Sequence, residues 1–237
     1  MVLALKRRDL VGAGLAAWAT SLPAHSAQVE PGKGLVLAPR QDFIAPKAGS
    51  YQLPVIQPAA NGWVLDGNWL PRRLSRYTHG ALTMLSFVYT YCTDPVGCPL
   101  AYETFAGLRR RVLADPLLRK QVRLVSLSFD PTHDTPQEML HYGGQHARSK
   151  DLPWAFLTTY SVNFLKPILD GFGQDVEVEL DADGRANRTF THMLKVFLID
   201  EQAQVREIYS AAFLQPDVMM ADLRTLALER AGRLQKS

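Results

Sequence analysis

The chain has 237 residues, 47% of them hydrophobic, with 26 Lys and Arg against 23 Asp and Glu and a formal net charge of +3. This balance suits one domain with a substantial core and excludes a charge-driven nucleic-acid binder; the run Arg109-Arg110-Arg111 reads as the solvated face of a helix. Only two cysteines are present, Cys92 and Cys98, which argues against a four-cysteine structural zinc site.

Lys6, Arg7 and Arg8 precede an apolar stretch from Leu10 to Leu22, and the small residues Ala24, Ser26 and Ala27 follow. This is the layout of a secretory signal peptide, and it predicts a periplasmic or otherwise exported protein. The apolar stretch is too short for a comfortable transmembrane helix, so membrane contact would require residues 1–27 to stay uncleaved as an anchor. Arg7-Arg8 matches a twin-arginine signal in part, which leaves the general and twin-arginine routes both open. Lys6 to Asp9 hold a net +2 of the charge, so a mature chain from Gln28 sits near +1. From Gln28 to Pro58 the chain is punctuated by Pro31, Pro39, Pro46, Pro54 and Pro58 and reads as an extended or partly disordered arm. Residues 59–237 then form a single domain.

Within that domain, Ala81 to Val88 is an apolar segment that reads as a buried strand, and it delivers both cysteines to the loop at its carboxyl end. Pro99 opens a helix whose buried stripe is Ala101, Phe105, Leu108 and Val112. Val122 to Phe129 is a second apolar strand, ended by Asp130-Pro131. Thr135-Pro136-Gln137-Glu138 is a capping box with Pro at the first helical position, and its helix runs toward His146. Trp154 to Thr158 is a short strand. A helix from about Ser161 to Asp170 follows, closed by Gly171 and kinked or delayed by Pro167. Val176 to Leu180 alternates like an exposed strand before the turn Asp181 to Gly184. Met193 to Asp200 and Val205 to Tyr209 read as a hairpin, and a last helix starts at Pro216 with Met219, Leu223 and Leu226 inward. The sum is an α/β protein with a mixed sheet, helices on both faces and a cysteine loop after an early strand: a thioredoxin-like fold.

Two sulfurs on one strand-end loop can form a reversible disulfide, act as a peroxidatic and resolving pair, or clamp a soft metal ion; a disulfide that only braces the loop is the bland alternative. Three ordered segments narrow the choice. Phe87-Val88-Tyr89-Thr90-Tyr91-Cys92 with Cys98-Pro99-Leu100, then Val125 to Pro136 with its Asp130-Pro131 and Asp134-Thr135-Pro136, and finally His192-Met193-Leu194-Lys195-Val196-Phe197-Leu198-Ile199-Asp200 together resemble the Sco/SenC copper proteins that serve cytochrome oxidase assembly. The resemblance spans about Trp63 to Tyr209. It implies a metallochaperone that holds copper through Cys92, Cys98 and His192 and hands it to a recipient such as a cytochrome oxidase subunit. Two thiolates and an imidazole are donors that suit copper, and three ligands leave a position open for transfer.

The family places three residues between its cysteines, whereas five stand here, so the loop must bend back at Pro95 and Gly97 for the sulfurs to meet. A peroxiredoxin needs Thr three residues before its cysteine, and Tyr89 and Pro95 hold those places. The closer rival is a thiol-disulfide oxidoreductase acting on a partner's cysteines with Cys92 and Cys98 as its redox pair, although the spacing is not Cys-x-x-Cys and His192 would have no task. His25 falls in the signal segment, His79 in a turn, and His133, His141 and His146 read as solvent-facing. Met193 should point away from His192, into the core. Asp130 ends its strand on the active side, where it could orient a ligand or steer a cation, although strand-terminating Asp-Pro turns are ordinary.

Overall fold

The computed structural model describes residues 44–181 and 183–234. The signal segment and the arm up to residue 43 lie outside the described residues. In chain order the elements are β1 (Gln57–Pro58), β2 (Trp63–Leu65), β3 (Pro71–Arg73), α1 (Ser75–Thr78), β4 (Leu82–Val88), α2 (Cys98–Ala114), β5 (Val122–Ser128) and α3 (Pro136–Ala147). There follow β6 (Trp154–Leu157), α4 (Val162–Phe172), β7 (Val176–Leu180), β8 (Ala186–His192), β9 (Lys195–Ile199), β10 (Gln204–Ser210) and α5 (Pro216–Leu234).

The central sheet has the order β1-β10-β9-β4-β5-β6. Strands β4, β5 and β6 are parallel, while β9, β10 and β1 join as antiparallel neighbours. Every residue of β4 is buried, Thr83 and Ser86 included, as expected of a mostly apolar strand covered on both faces. Phe87 and Phe197 turn to one face and pack on Phe172 of α4, with ring centroids 5.6 Å and 4.9 Å away. On the opposite face Trp154 meets Tyr102 and Phe105 of α2, and Phe156 meets Tyr142 of α3. Fully burying aromatic side chains of this size contributes roughly 1.5–3 kcal/mol each.

Several expectations shift. The N-cap at Thr135 forms, its hydroxyl accepting the Glu138 N–H at 3.2 Å, but the Thr135 N–H goes to the His133 carbonyl instead of closing a capping box. Helix α4 runs through both Pro167 and Gly171 and ends instead at Gly173, which has φ +62° and a Gln174 N–H bonded to the Leu169 carbonyl. Gly171 serves contact rather than capping: a Cβ there would stand 2.7 Å from Ala60 Cβ. The proline-punctuated stretch is docked from residue 49 to residue 58, while Ile44 is exposed. Tyr51 donates to Asp222, the Gly49 N–H donates to Thr225, Leu53 is buried, and β1 pairs with β10.

What anchors this stretch is Arg206. A register shift between Val205 and Glu207 makes it the extra residue of a bulge in β10, which turns its side chain inward. There its guanidinium donates to the Leu53 carbonyl, to Asp200 at 2.8 Å and to Glu229 at 2.9 Å.

Candidate metal centre

Both cysteines stand at the carboxyl end of the parallel strands, Cys92 on the loop after β4 and Cys98 at the first position of α2. The five intervening residues fold as a turn. The Gly97 N–H reaches the Asp94 carbonyl at 3.0 Å with Pro95 at the second position, and the Asp94 carboxylate accepts the Val96 N–H. A side chain at Gly97 would crowd Asp94, at 3.2 Å. The turn absorbs the longer loop and returns the chain so that the two thiols influence each other's protonation.

Both thiols are free, and they are unequal. Cys92 is half-buried and its pKa is lowered to about 5, first because the Cys98 thiol donates to it, against the opposing effect of burial. The Tyr89 phenol and the backbone N–H groups of Cys98 and Asp94 add to that lowering. Cys98 is fully buried, and donating to Cys92, together with burial, raises its pKa, so Cys98 holds the proton while Cys92 is the thiolate. The Tyr89 N–H lies 3.4 Å from the Cys98 sulfur.

The loop is fixed from below by Asp134, a residue that sequence reasoning quoted within a motif without giving it a role. Its fully buried carboxylate accepts the Thr90 N–H, the Thr90 hydroxyl at 2.6 Å and the Ser128 hydroxyl at 2.6 Å, with His133 Nδ1 3.0 Å away. The Asp-Thr-Pro sequence was the available signal. Asp130 is engaged locally, accepting from Tyr91 at 2.6 Å and from Thr132. His133 packs on Tyr91 at 4.5 Å, and His146 packs on Trp154 at 5.0 Å with its pKa lowered by burial and by Arg109 and Arg110. Neither is simply solvent-facing. His79 and His141 are exposed, and His25 lies outside the described residues.

His192 is the last residue of β8, a strand that sequence reasoning missed. Its ring lies 4.7 Å from Phe129 and 6.1 Å from Tyr89, its Nδ1 is 3.4 Å from the Phe190 carbonyl, and its Nε2 is buried with no hydrogen-bond partner. Met193 faces solvent, at 65% exposure, rather than the core. Among the described residues no three His, Cys, Asp or Glu side chains converge closely enough to hold a metal ion. Tyr89 touches on both halves: its ring lies 6.1 Å from His192, and burial, followed by its interaction with Cys92, raises its pKa. The donor set of two sulfurs and one unsatisfied imidazole nitrogen nevertheless has the chemistry a soft metal ion requires.

A dithiol loop at the carboxyl end of parallel strands, in a mixed sheet covered by helices on both faces, defines a thioredoxin-like protein. The chain belongs to the SCO1/SenC family, whose model matches residues 72–228. No curated protein sequence matches it. Its fold is similar to that of a SCO1/SenC family lipoprotein from Bacillus anthracis (TM-score 0.60, 22% identity, covering 75% of this chain and 99% of that one). It is also similar to copper-bound ScoI from Bradyrhizobium japonicum (TM-score 0.56, 21% identity, 71% and 99% covered). A third similar structure identifies a disulfide switch in BsSco, a member of the Sco family of cytochrome c oxidase assembly proteins (TM-score 0.57, 19% identity, 75% and 98% covered).

Proposed function

We propose that this protein is an exported metallochaperone that takes up copper through Cys92, Cys98 and His192 and delivers it to a recipient copper protein during assembly of a cytochrome oxidase-type respiratory centre. The observation that carries the reading is the pairing of a ready thiolate at Cys92 with a buried, unpartnered Nε2 on His192. An orphan nitrogen of this kind is costly unless a ligand completes it. Copper-bound ScoI and the oxidase-assembly role of BsSco support copper as cargo and the oxidase as destination. The signal-peptide pattern of residues 1–27 and the lipoprotein relative support export, and no helix among the described residues is long and apolar enough to cross a membrane.

Loading requires His192 to move onto the sulfurs. Strands β7 and β8 pair with each other and with no strand of the central sheet, so this hairpin can shift without breaking a central ladder. Cys98 loses its proton as the ion binds, and Tyr89 gives up its interaction with Cys92. The test is copper titration of the reduced protein: one ion per chain, with tight binding abolished in Cys92→Ser and Cys98→Ser and weakened in His192→Ala. Unchanged affinity in both cysteine variants would place the site elsewhere.

The unequal thiols favour a second reading, exchange with a partner disulfide. The Cys92 thiolate would attack one partner sulfur and release the other as a thiol. Cys98, deprotonated, would then displace the first, leaving a Cys92–Cys98 disulfide and a reduced partner. Turnover of a disulfide substrate by copper-free protein, lost in Cys92→Ser, would favour it.

A further inference from the structure

Six large apolar side chains that face solvent come from two short stretches: Trp63, Trp69 and Leu70 around the β2–β3 hairpin, and Tyr160, Val162 and Phe164 at the start of α4. Between hairpin and helix lies a cleft of about 290 Å³ lined by Trp63, Val64, Leu65, Pro71, Tyr160 and Phe164. Its walls are almost wholly apolar, and no part of the copper reading uses them. The cleft is held in place from beneath. Leu65 and Thr158 exchange backbone hydrogen bonds at 2.8 Å and 3.2 Å, and Gly62 lies so close to Ile168 that a Cβ would stand 2.6 Å from it.

The rim carries positive charge. The Arg73 guanidinium sits over the Trp63 ring at 5.3 Å, and among the described residues Arg73 has no carboxylate partner, whereas Arg72 is matched by Asp66. The fitting occupant therefore has a bulky apolar side chain beside a carboxylate, and a concave cleft accepts an inserted side chain better than it accepts a flat surface.

Location gives the cleft a purpose. Tyr160 and Phe164 follow β6, and Cys92 follows β4; both strands end on the same edge of the parallel sheet, two strand spacings or about 10 Å apart. The cleft and Cys92 therefore both lie toward the carboxyl end of the parallel strands.

We infer that the cleft is a docking site for the copper recipient, taking an acidic-apolar segment of that protein with its apolar side chain against Phe164 and Trp63 and its carboxylate on Arg73. The inference rests on the metallochaperone reading. Its test is separate, because binding is read with peptides and no metal.

Three synthetic dodecapeptides serve as probes: one alternating Glu with Leu and Phe, one with Lys replacing Glu, and one with Ser replacing the apolar residues. Calorimetry with the full chain should show the Glu-apolar peptide binding at least about tenfold more tightly than the other two. Phe164→Ala should weaken it at least tenfold, and Arg73→Glu should invert the Glu-over-Lys preference. Both variants should keep the wild-type circular dichroism and copper stoichiometry. Equal affinity for all three peptides, or variants indistinguishable from wild type, would overturn the proposal. So would binding to phosphatidylglycerol vesicles without peptide discrimination, or a dimer in sedimentation that Phe164→Ala dissolves. A chain starting at Ile44 that bound the Glu-apolar peptide tenfold better would assign the cleft to the first 43 residues instead. Loss of copper binding in the wild type with peptide selectivity intact would fault the functional reading alone.

Discussion

At the end of the sheet where β9 turns into β10, each nitrogen of the buried Arg206 guanidinium has an acceptor, and Asp200 receives the Gln202 and Gln204 N–H groups besides. At the opposite end, beside the cysteines, His192 Nε2 and the Tyr142 hydroxyl are buried with no partner. The two ends spend their polar atoms differently. A satisfied network rigidifies what it joins, here tying the stretch around Leu53 to the core, whereas an unsatisfied buried group costs about 1–3 kcal/mol and is tolerated where a ligand can complete it. Asp134 sits at the same end as His192 and is saturated, so the looseness belongs to the imidazole side of the site and not to the cysteine loop.

The largest expected effect tests the satisfied end. Arg206→Leu leaves Asp200 buried without its countercharge and strips the Leu53 carbonyl, and should cost about 3–5 kcal/mol in denaturant unfolding. Copper affinity of the folded fraction should stay at the wild-type value. A variant that unfolds like wild type would mean that the network contributes no stability.

Asp134→Ala comes next. It removes the acceptor of Thr90 and Ser128 and should cost about 1–3 kcal/mol. Because the freed peptide at Thr90 is two residues from Cys92, copper affinity should fall as well, which sets this position apart from Arg206. Stability loss with undiminished copper affinity would show that the loop needs no support from below.

His192→Phe should move stability by less than about 1 kcal/mol, since an unpaired nitrogen is traded for a ring among Phe129 and Tyr89. Copper affinity should nonetheless drop by about tenfold or more. A large loss of stability with unchanged copper affinity would recast His192 as a core residue.

The smallest effect sharpens the inequality of the thiols. A pKa lowered to about 5 means that Cys92 keeps its thiolate as pH falls from 9, losing it only through the region of pH 5. Alkylation by iodoacetamide at Cys92 should therefore stay nearly level between pH 8 and pH 6 and decline toward pH 5. An ordinary thiol would lose about a hundredfold in thiolate between pH 8 and pH 6. Peptide mapping should find Cys98 protected throughout, and a decline centred near pH 8.5 would remove the case for a preformed thiolate.

How much of this was legible in the sequence varied with the physics. Strand β4 and helices α2, α3 and α5 announced themselves because apolar periodicity and a capping threonine are local signals. Strand β8 did not, because Ala186-Asn187-Arg188-Thr189-Phe190-Thr191-His192 offers one large apolar residue in seven and pairs only with β7. The docking of residues 49–58 was hidden for another reason. Its bonds join groups some 150 to 176 positions apart, from Tyr51 to Asp222 and from Gly49 to Thr225, and no window along the chain contains both partners. At the candidate centre the cysteines, the histidine and the bend at Pro95 were readable as residue types. The partnerless Nε2 and the placement of Tyr89 were not, since both are properties of packing.

The turn from Asp94 to Gly97 gives the dithiol a freedom that two cysteines on one helical turn would lack. There, the separation of the sulfurs is a fixed property of the helix, and widening it means unwinding. Here Cys98 rides on α2 while Cys92 is tethered to the end of β4, and the closed four-residue turn between them acts as a small stiff link with a joint at each end. Rotation at those joints changes the sulfur-to-sulfur gap while the first turn of α2 stays intact, so the same loop can serve the short span of a covalent sulfur bond and the wider bite around an ion.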